Sequence, residues 1–487
     1  MKTFFRTASA AIKSDPSWAF FLTFSFLCCV SMPLARIALV LSLWFSLSGA
    51  GRRGAFRFTP PTLGWVIYLA LALVASGIAW ACLEDPMLEP ARGFRKIAKL
   101  LWYAAIPLGV AQVDSRSRLV AALRAFVAGA ATCAALVMLR NPILAQFQMV
   151  FPTDAQAAAG VASGAVSPLG AWLHSTISSL GRLDAVNKWI YSCGRAQTWS
   201  QAFVKLGTMQ DSQRLMVAMP AALGLLMEEV RAARRLRASG HEAVAARAAA
   251  RRRRTAFVLV LVAAGLVATC KRGPLLAGAI VAFALLLSRI RWWKAALLVS
   301  LLVAAVAALP QARARFAQLP DELELRRGGR ALMWTRVVPE LHREHPWGIG
   351  FRSLTWEKMF SIDKHVELNQ NHVHCTPLQA FVDFSWLGLA AWTAWMALAF
   401  ASAAGLARLS RRPEPGSSLP ETSCFAVPLA MLAALFFYGL VEYNLADSEV
   451  VLLYGFAMGL TGPSLMHSAP TPTSAADVAR DAGKSRQ

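Results

Sequence analysis

The sequence predicts an all-α polytopic membrane protein, with about 12 transmembrane helices and two long periplasmic loops. Three observations predict it. Of 487 residues, 56% are hydrophobic and only 16% are charged, whereas a soluble chain carries about 25% charged residues. Apolar runs recur at close to the roughly 20 residues that span a hydrocarbon core. Arginines gather at the ends of those runs, in the alternating pattern that sets topology. Net charge is +23, from 50 Lys and Arg against 27 Asp and Glu. Such a charge first suggests nucleic acid. Its clustering at helix ends fits topology and anionic lipid instead, so no nucleic-acid partner is expected.

The N-terminal part, residues 1–139, reads as a five-span bundle. The basic start with Lys2, Arg6 and Lys13 leads into an apolar run that Pro33 divides into spans at about 17–32 and 33–49. No small-residue cleavage site closes the first of them, so a retained helix is expected rather than a signal peptide. Arg52, Arg53 and Arg57 mark an inner loop. Span three, 61–82, exits at the acidic turn LEDPMLEP. The basic amphipathic segment 91–99 lies in the interface before span four, 97–113, and Arg116 and Arg118 precede span five, 118–139.

Residues 140–211 form the first outer loop, rich in Ala, Gly and Ser and then in Trp172, Trp189, Tyr191 and Trp199. Such aromatics suit a membrane interface. Four spans fill 212–309: one from Arg214, then 255–270, 274–288 and 292–309. The segment 231–254, with nine Arg and one Glu, reads as an inner loop. The large outer loop is 310–385. Three spans occupy 386–466, with a helical shoulder from Pro377 ahead of the first, and a polar tail, 467–487, is expected to be disordered and inside.

Six cysteines, Cys28, Cys29, Cys82, Cys133, Cys270 and Cys424, sit in or beside apolar runs, where they pack as small hydrophobes. No CxxC or zinc spacing occurs. Cys193 and Cys375 alone lie in or near polar loops, where a disulfide between them is possible.

With this orientation certain basic residues stand out. Arg214, Lys271 and Arg272 sit at outer helix ends, against the topological bias. Each taken alone fits headgroup snorkelling. Together they fit binding of an anionic group, because Arg holds phosphate oxygens in bidentate geometry and keeps its charge. GGR places Arg330 at a helix start in the large loop, among Arg326, Arg327 and Arg336. At the end of that loop, NQNHVHCTPLQAFVDFSWLG brings His372 and His374 to the membrane boundary. Histidine supplies proton transfer near neutral pH. In extended backbone the two rings point to one side. Asp383 lies on the shoulder helix, where its carboxylate can orient a His or an Arg. A metal set joining the pair to Asp363, His365 or Glu367 matches no strong pattern, and no metal or other cofactor is expected.

KRGPLLAG after a span, GGRALMW in the large loop, HPWGIGF downstream and HVHCTPLQAFVDFSWLGL at its end resemble the O-antigen ligase and polymerase superfamily of bacterial membrane glycosyltransferases. The resemblance covers about 200–410. His374 matches the family histidine, Leu378 and Gln379 the helix after it, Asp383 the acidic position, and Arg272 and Arg214 the family's outer arginines. Cys375 stands where Asn is common, and Ser385 where Gly is common. The resemblance implies transfer of a glycan from undecaprenyl pyrophosphate to lipid A–core oligosaccharide, outside the bacterial inner membrane, within lipopolysaccharide biosynthesis. It implies His374 or His372 as base and arginines on the pyrophosphate. Polymerase and protein O-oligosaccharyltransferase activities belong to the same superfamily. A multi-span transporter is the reading from another class, but the internal repeats and midplane charges expected of one are not evident.

Overall fold

A computed structural model describes residues 15–48, 58–150, 209–238, 240, 242–269, 271–287, isolated positions between 291 and 324, 329–366, 370–409, 423–445 and 448–462. Every described element is helical. The first two form an antiparallel hairpin, α1 (Pro16–Leu27) and α2 (Met32–Leu47). Asp15 caps α1 by accepting from the Trp18 amide at 3.1 Å, and Pro16 presets its first turn. Ser17 and Ser42 bond across the pair. Then come α3 (Pro60–Cys82), α4 (Pro90–Lys96), a 3-10 helix (Ile97–Ala104) and α5 (Ala105–Gln112). Helix α6 spans Arg116–Val150, running past the expected end at 139.

The Arg-rich segment 231–254 differs from the expected loop. Helix α7 (Met209–Ala238) and helix α8 (Glu242–Ala268) carry it as one long antiparallel hairpin that turns at Gly240, φ +77°. Charge pattern marks the segment as polar, but Ala and Arg are among the best helix formers, so the chain stays helical to the glycine. Helix α9 spans Arg272–Leu287.

The large loop contains α10 (Arg330–Leu332, continuing through a π turn at Met333–Val337 into Val338–Glu344) and α11 (Trp356–Ile362). Helix α12 covers Thr376–Leu409, with a break at Phe384 and Ser385. The break falls between the expected shoulder and span. Helices α13 (Val427–Gly439) and α14 (Ser448–Gly459) complete the fold. Among the described residues, three helices are long and apolar enough to cross a membrane: Pro60–Cys82, Arg116–Leu139 and Thr376–Arg408. Shorter apolar helices include α1, α2, α9 and α13.

One continuous core joins these helices, and small residues let backbones approach. A Cβ on Gly129 would lie 2.0 Å from the Phe26 carbonyl, and one on Gly109 2.7 Å from Gly459. The second contact seats α14 against α5, closing the end of the chain onto its first part.

The bundle has two distinct ends. At one, Arg118 pairs with Asp15 at 2.6 Å and lies over Trp18, Arg124 pairs with Glu229 at 3.3 Å, and Arg116 pairs with Glu228. Gln112 donates to Ser17 at 2.8 Å there. The other end carries the loops around α10 and α11. A second core, including Leu332, Val337, Leu341, Met359 and Val373, packs beneath them.

Candidate active site

The chain from Gln370 to Cys375 is non-helical, bending at His372 and again at His374, which adopts φ +48°, a left-handed conformation that His tolerates better than most residues. Helix α12 starts two residues later. Three contacts hold this strand. The Trp334 indole donates to the Val373 carbonyl at 2.8 Å. The Val373 amide donates to Gln379 Oε1 at 2.9 Å. Gln379 Nε2 donates to Asp383 Oδ1 at 2.7 Å. Val373 is thus pinned on both backbone faces, and the flanking His372 and His374 side chains emerge on one side, their ring centroids 4.3 Å apart.

Both rings meet Glu442, in the turn after α13. His374 Nδ1 lies 2.7 Å from Glu442 Oε1, and His372 Nε2 lies 3.3 Å from the same oxygen. Arg330 Nη2 lies 3.6 Å from Glu442 Oε2. Glu442 is 7% exposed. Its turn is fixed by Thr376, whose hydroxyl donates to the Glu442 carbonyl at 3.0 Å, and by Asn444, whose amide bonds back to Thr376. Burial opposes ionisation of Glu442, but hydrogen bonds from His372 and His374 outweigh it and hold the carboxyl well below the usual carboxylate range. Burial and the neighbouring His374 and Arg352 push His372 below the usual imidazole range, against the pull of Glu442.

The carboxylate sets a tautomer. An ionised Glu442 only accepts, so His374 Nδ1 carries hydrogen. In the neutral ring Nε2 then holds the lone pair; Gln370 Oε1 lies 2.7 Å from it, so Gln370 donates to that lone pair only with its amide turned to present NH₂. That nitrogen is positioned to take a proton.

The other expected residues fall as follows. Arg330 starts α10 after Gly329, as GGR suggests. Lys271 and Arg272 open α9 at the same end of the bundle. A Cβ on Gly273 would lie 2.9 Å from Tyr438 and 3.8 Å from Val441, the residue before Glu442. Arg214, 8% exposed, lies in the first turns of α7 and pairs with Asp211 at 3.0 Å. Its neighbour Gln213 donates to the Tyr438 hydroxyl at 3.2 Å. Asp383 does not touch the histidines. It acts through Gln379 on Val373, and it accepts from the Arg352 backbone amide. Cys375 is a buried free thiol, while Cys193 lies outside the described residues, as do Arg326, Arg327 and Glu367.

Sequence reasoning missed two residues. Glu442 reads in the sequence as part of an acidic outer turn. Its place at an outer helix end was the one available signal. Arg352 follows the GIGF turn and has φ +50°. Its guanidinium lies 5.3 Å from the Tyr443 ring, itself 5.7 Å from the His372 ring. His374, Arg352 and Ser385 are the described non-glycine residues with positive φ; His374 belongs to this site, Arg352 borders it through Tyr443, and Ser385 lies at the break in α12. Strained backbone concentrates where surroundings over-determine it, active sites above all.

Among the described residues, two clusters can hold a cation by geometry. His372, His374 and Glu442 offer ligand atoms within 4.8 Å of one another. In the second, Asp85, Glu344 and His345, the Lys358 ammonium already supplies the charge, 2.7 Å from Asp85 and 2.5 Å from Glu344. Of the metal set weighed from sequence, Asp363 pairs with Arg336 and His365.

Residues 257–393 match the model of a protein family described as O-antigen ligase. The resemblance read in the sequence therefore holds over that stretch. It contains Lys271, Arg272, Arg330, Arg352, His372, His374 and Asp383, and leaves Arg214 and Glu442 outside. No curated protein matches the chain.

Proposed function

We propose that the chain is a membrane glycosyltransferase, an O-antigen ligase that moves a glycan from undecaprenyl pyrophosphate to lipid A–core oligosaccharide at the periplasmic face of the bacterial inner membrane. The observation that carries this reading is the Glu442–His374 pair, with Arg330 on the same carboxylate and Arg214 and Arg272 at the same end of the bundle. The arginines of the opposite end, with the Arg-rich hairpin, would face the cytoplasm.

His374 Nε2 takes the proton of the acceptor hydroxyl. The hydroxyl oxygen forms a bond to the anomeric carbon as the bond from that carbon to the pyrophosphate oxygen breaks. One displacement inverts the anomeric configuration. Undecaprenyl pyrophosphate leaves with the electron pair, its charge stabilised by Arg330, Arg272, Lys271 and Arg214. Glu442 keeps Nδ1 protonated and stabilises the imidazolium that forms. Asp383 orients the strand from beneath, through Gln379. His372 is the second candidate base.

The test uses purified protein, undecaprenyl-pyrophosphate glycan and lipid A–core. Lipid A–core should gain the mass of the glycan. His374→Ala should abolish this while the protein stays folded, and His372→Ala should retain a measurable rate. A longer lipid-linked chain would instead identify a polymerase, glycan on Ser or Thr a protein O-oligosaccharyltransferase, and no product at all would favour transport. A second reading has the His372–His374–Glu442 geometry in its favour: a divalent ion there would polarise the pyrophosphate. Activity lost to a chelator and restored by one ion would replace the metal-independent mechanism.

A further inference from the structure

The lipid-facing side of α2 carries a charge that the candidate active site does not use. Arg36 is the one charged residue in this 16-residue helix, MPLARIALVLSLWFSL. Leu34, Ile37, Val40 and Trp44 around it are all more than half exposed, as lipid-facing side chains are. An arginine is costly at the centre of a membrane helix and less so toward its ends. Among the described residues no carboxylate pairs with Arg36, and its Nε is buried without a hydrogen-bond partner.

The guanidinium lies 4.8 Å from the Trp102 ring on the neighbouring 3-10 helix. That helix also carries Lys99. Between the two segments lies a groove of about 400 Å³, lined by Leu39, Val40, Leu43 and Trp102 together with Arg36 and Lys99. Its volume is within the range of ligand-sized pockets, about 300–1,000 Å³. Both segments run away from the candidate-site end. Helix α2 finishes where Ser46 meets Gln112 at the opposite end. The 3-10 helix follows α4, whose Gly93 packs on Phe351. In each segment the cation comes first and the apolar lining follows. The groove is therefore charged toward one membrane surface and apolar below it. No lining residue is a carboxylate, and none belongs to the elements that bear the His372–His374–Glu442 site.

We infer that this groove binds one anionic glycerophospholipid of the surrounding bilayer, its phosphate between Arg36 and Lys99 and one acyl chain along Leu39, Leu43 and Trp102. Charge complementarity selects this occupant. Two cations over an apolar trough match a headgroup with net negative charge and a chain below it, and Trp102 suits the same depth. A zwitterionic lipid brings its own cation and gains little.

The full chain in vesicles of phosphatidylcholine, with and without phosphatidylglycerol, provides the test. Native mass spectrometry of protein released from these vesicles should show one retained phosphatidylglycerol. Its preference over phosphatidylcholine should be about thirtyfold, equivalent to about 1 kcal/mol for each cation. Phosphatidylglycerol should also raise the thermal midpoint. In the Arg36→Gln, Lys99→Gln double variant both the retained lipid and the shift should vanish, with basal transfer unchanged. Should that variant not fold, Lys99→Gln alone should lose about half the preference in free energy, and Arg36→Lys should keep most of it. Equal retention of both lipids, or an unchanged preference in the variants, would overturn the inference. Displacement of phosphatidylglycerol by an equal amount of a polyprenyl phosphate would overturn it too, by assigning the groove to a polyprenyl lipid.

Discussion

Replacing Glu442 by Gln removes one charge and almost no volume, so it isolates what the carboxylate does. Glu442 Oε1 receives a short hydrogen bond from His374 at 2.7 Å and a longer one from His372 at 3.3 Å. Hydrogen bonds to a charged group contribute about 1.5–3 kcal/mol. Losing the His374 bond as the imidazolium forms would slow transfer by about 10–150-fold, at about 1.36 kcal/mol for each factor of ten. The amide adds a second defect. Its NH₂ can donate to Nδ1 and place the ring hydrogen on Nε2, where no proton can then be accepted. A wrong tautomer of this kind costs about 10⁴ in serine proteases. The expected loss is therefore about 10²–10⁴ in the single-turnover rate, with donor binding little changed. Radiolabelled glycan transferred to acceptor measures the first, and retention of lipid-linked donor the second. Glu442→Asp keeps the charge and should fall between the two. A Gln variant within about threefold of the wild-type rate would refute the role of the carboxylate. Acid gives an independent check. The carboxyl of Glu442 is held below its ordinary value. Its stabilising contribution is thus present above the unfolded value of about 4.3 and is lost as pH falls through the folded value. The difference in thermal midpoint between wild type and Gln variant should shrink as pH falls below about 4.

Three further outcomes follow from the site's surroundings. Ser385 holds φ +56° and ψ −150°, a region that glycine alone occupies without strain. Ser385→Gly should raise stability by about 1–2 kcal/mol, read from thermal unfolding, and a lower midpoint would show that the serine side chain contributes more than the strain costs. Arg352→Gly relieves a positive φ together with removing the guanidinium over Tyr443. It should leave the midpoint within about 1 kcal/mol of wild type and cut transfer at least about tenfold; unchanged transfer would place Arg352 outside the mechanism. Lys358, 5% exposed, bridges Asp85 and Glu344. Lys358→Met should destabilise by about 1–3 kcal/mol, because it leaves Asp85 with the His345 ring and the Met87 amide as partners and no full positive charge beside it. A loss under about 1 kcal/mol would mean that water reaches the cluster.

Local features of the chain were the readable ones. GGR announced the start of α10. Pro377 announced a helix after the His372–His374 pair, while whether the pair itself precedes that helix was open in the sequence. The separation of a shoulder from Pro377 and a span from 386 anticipated the break in α12, and the backbone angles of Ser385 show why glycine would suit that place. Two other features were illegible for different reasons. The 231–254 segment signals through its charge, which reports sidedness. Its helical state comes from Ala and Arg propensity, and charge-based reading gives that little weight. Glu442 is separated by 68 residues from His374. Nothing near it in sequence distinguishes it from Glu449, and only the return of α13 brings it to the rings. The same holds for Arg352, whose role depends on Tyr443 arriving from that turn.

The long reach of that turn matters for the history of each molecule. During synthesis the histidines emerge with the loop and α12, while their carboxylate is still unmade. Until Glu442 arrives, neither ring has the partner that fixes its hydrogen, and the strained φ of His374 lacks the contact that helps hold it. Closure of α14 onto Gly109 then seats the final turn. Under the function proposed above, competence is therefore acquired late, once Glu442 has been made.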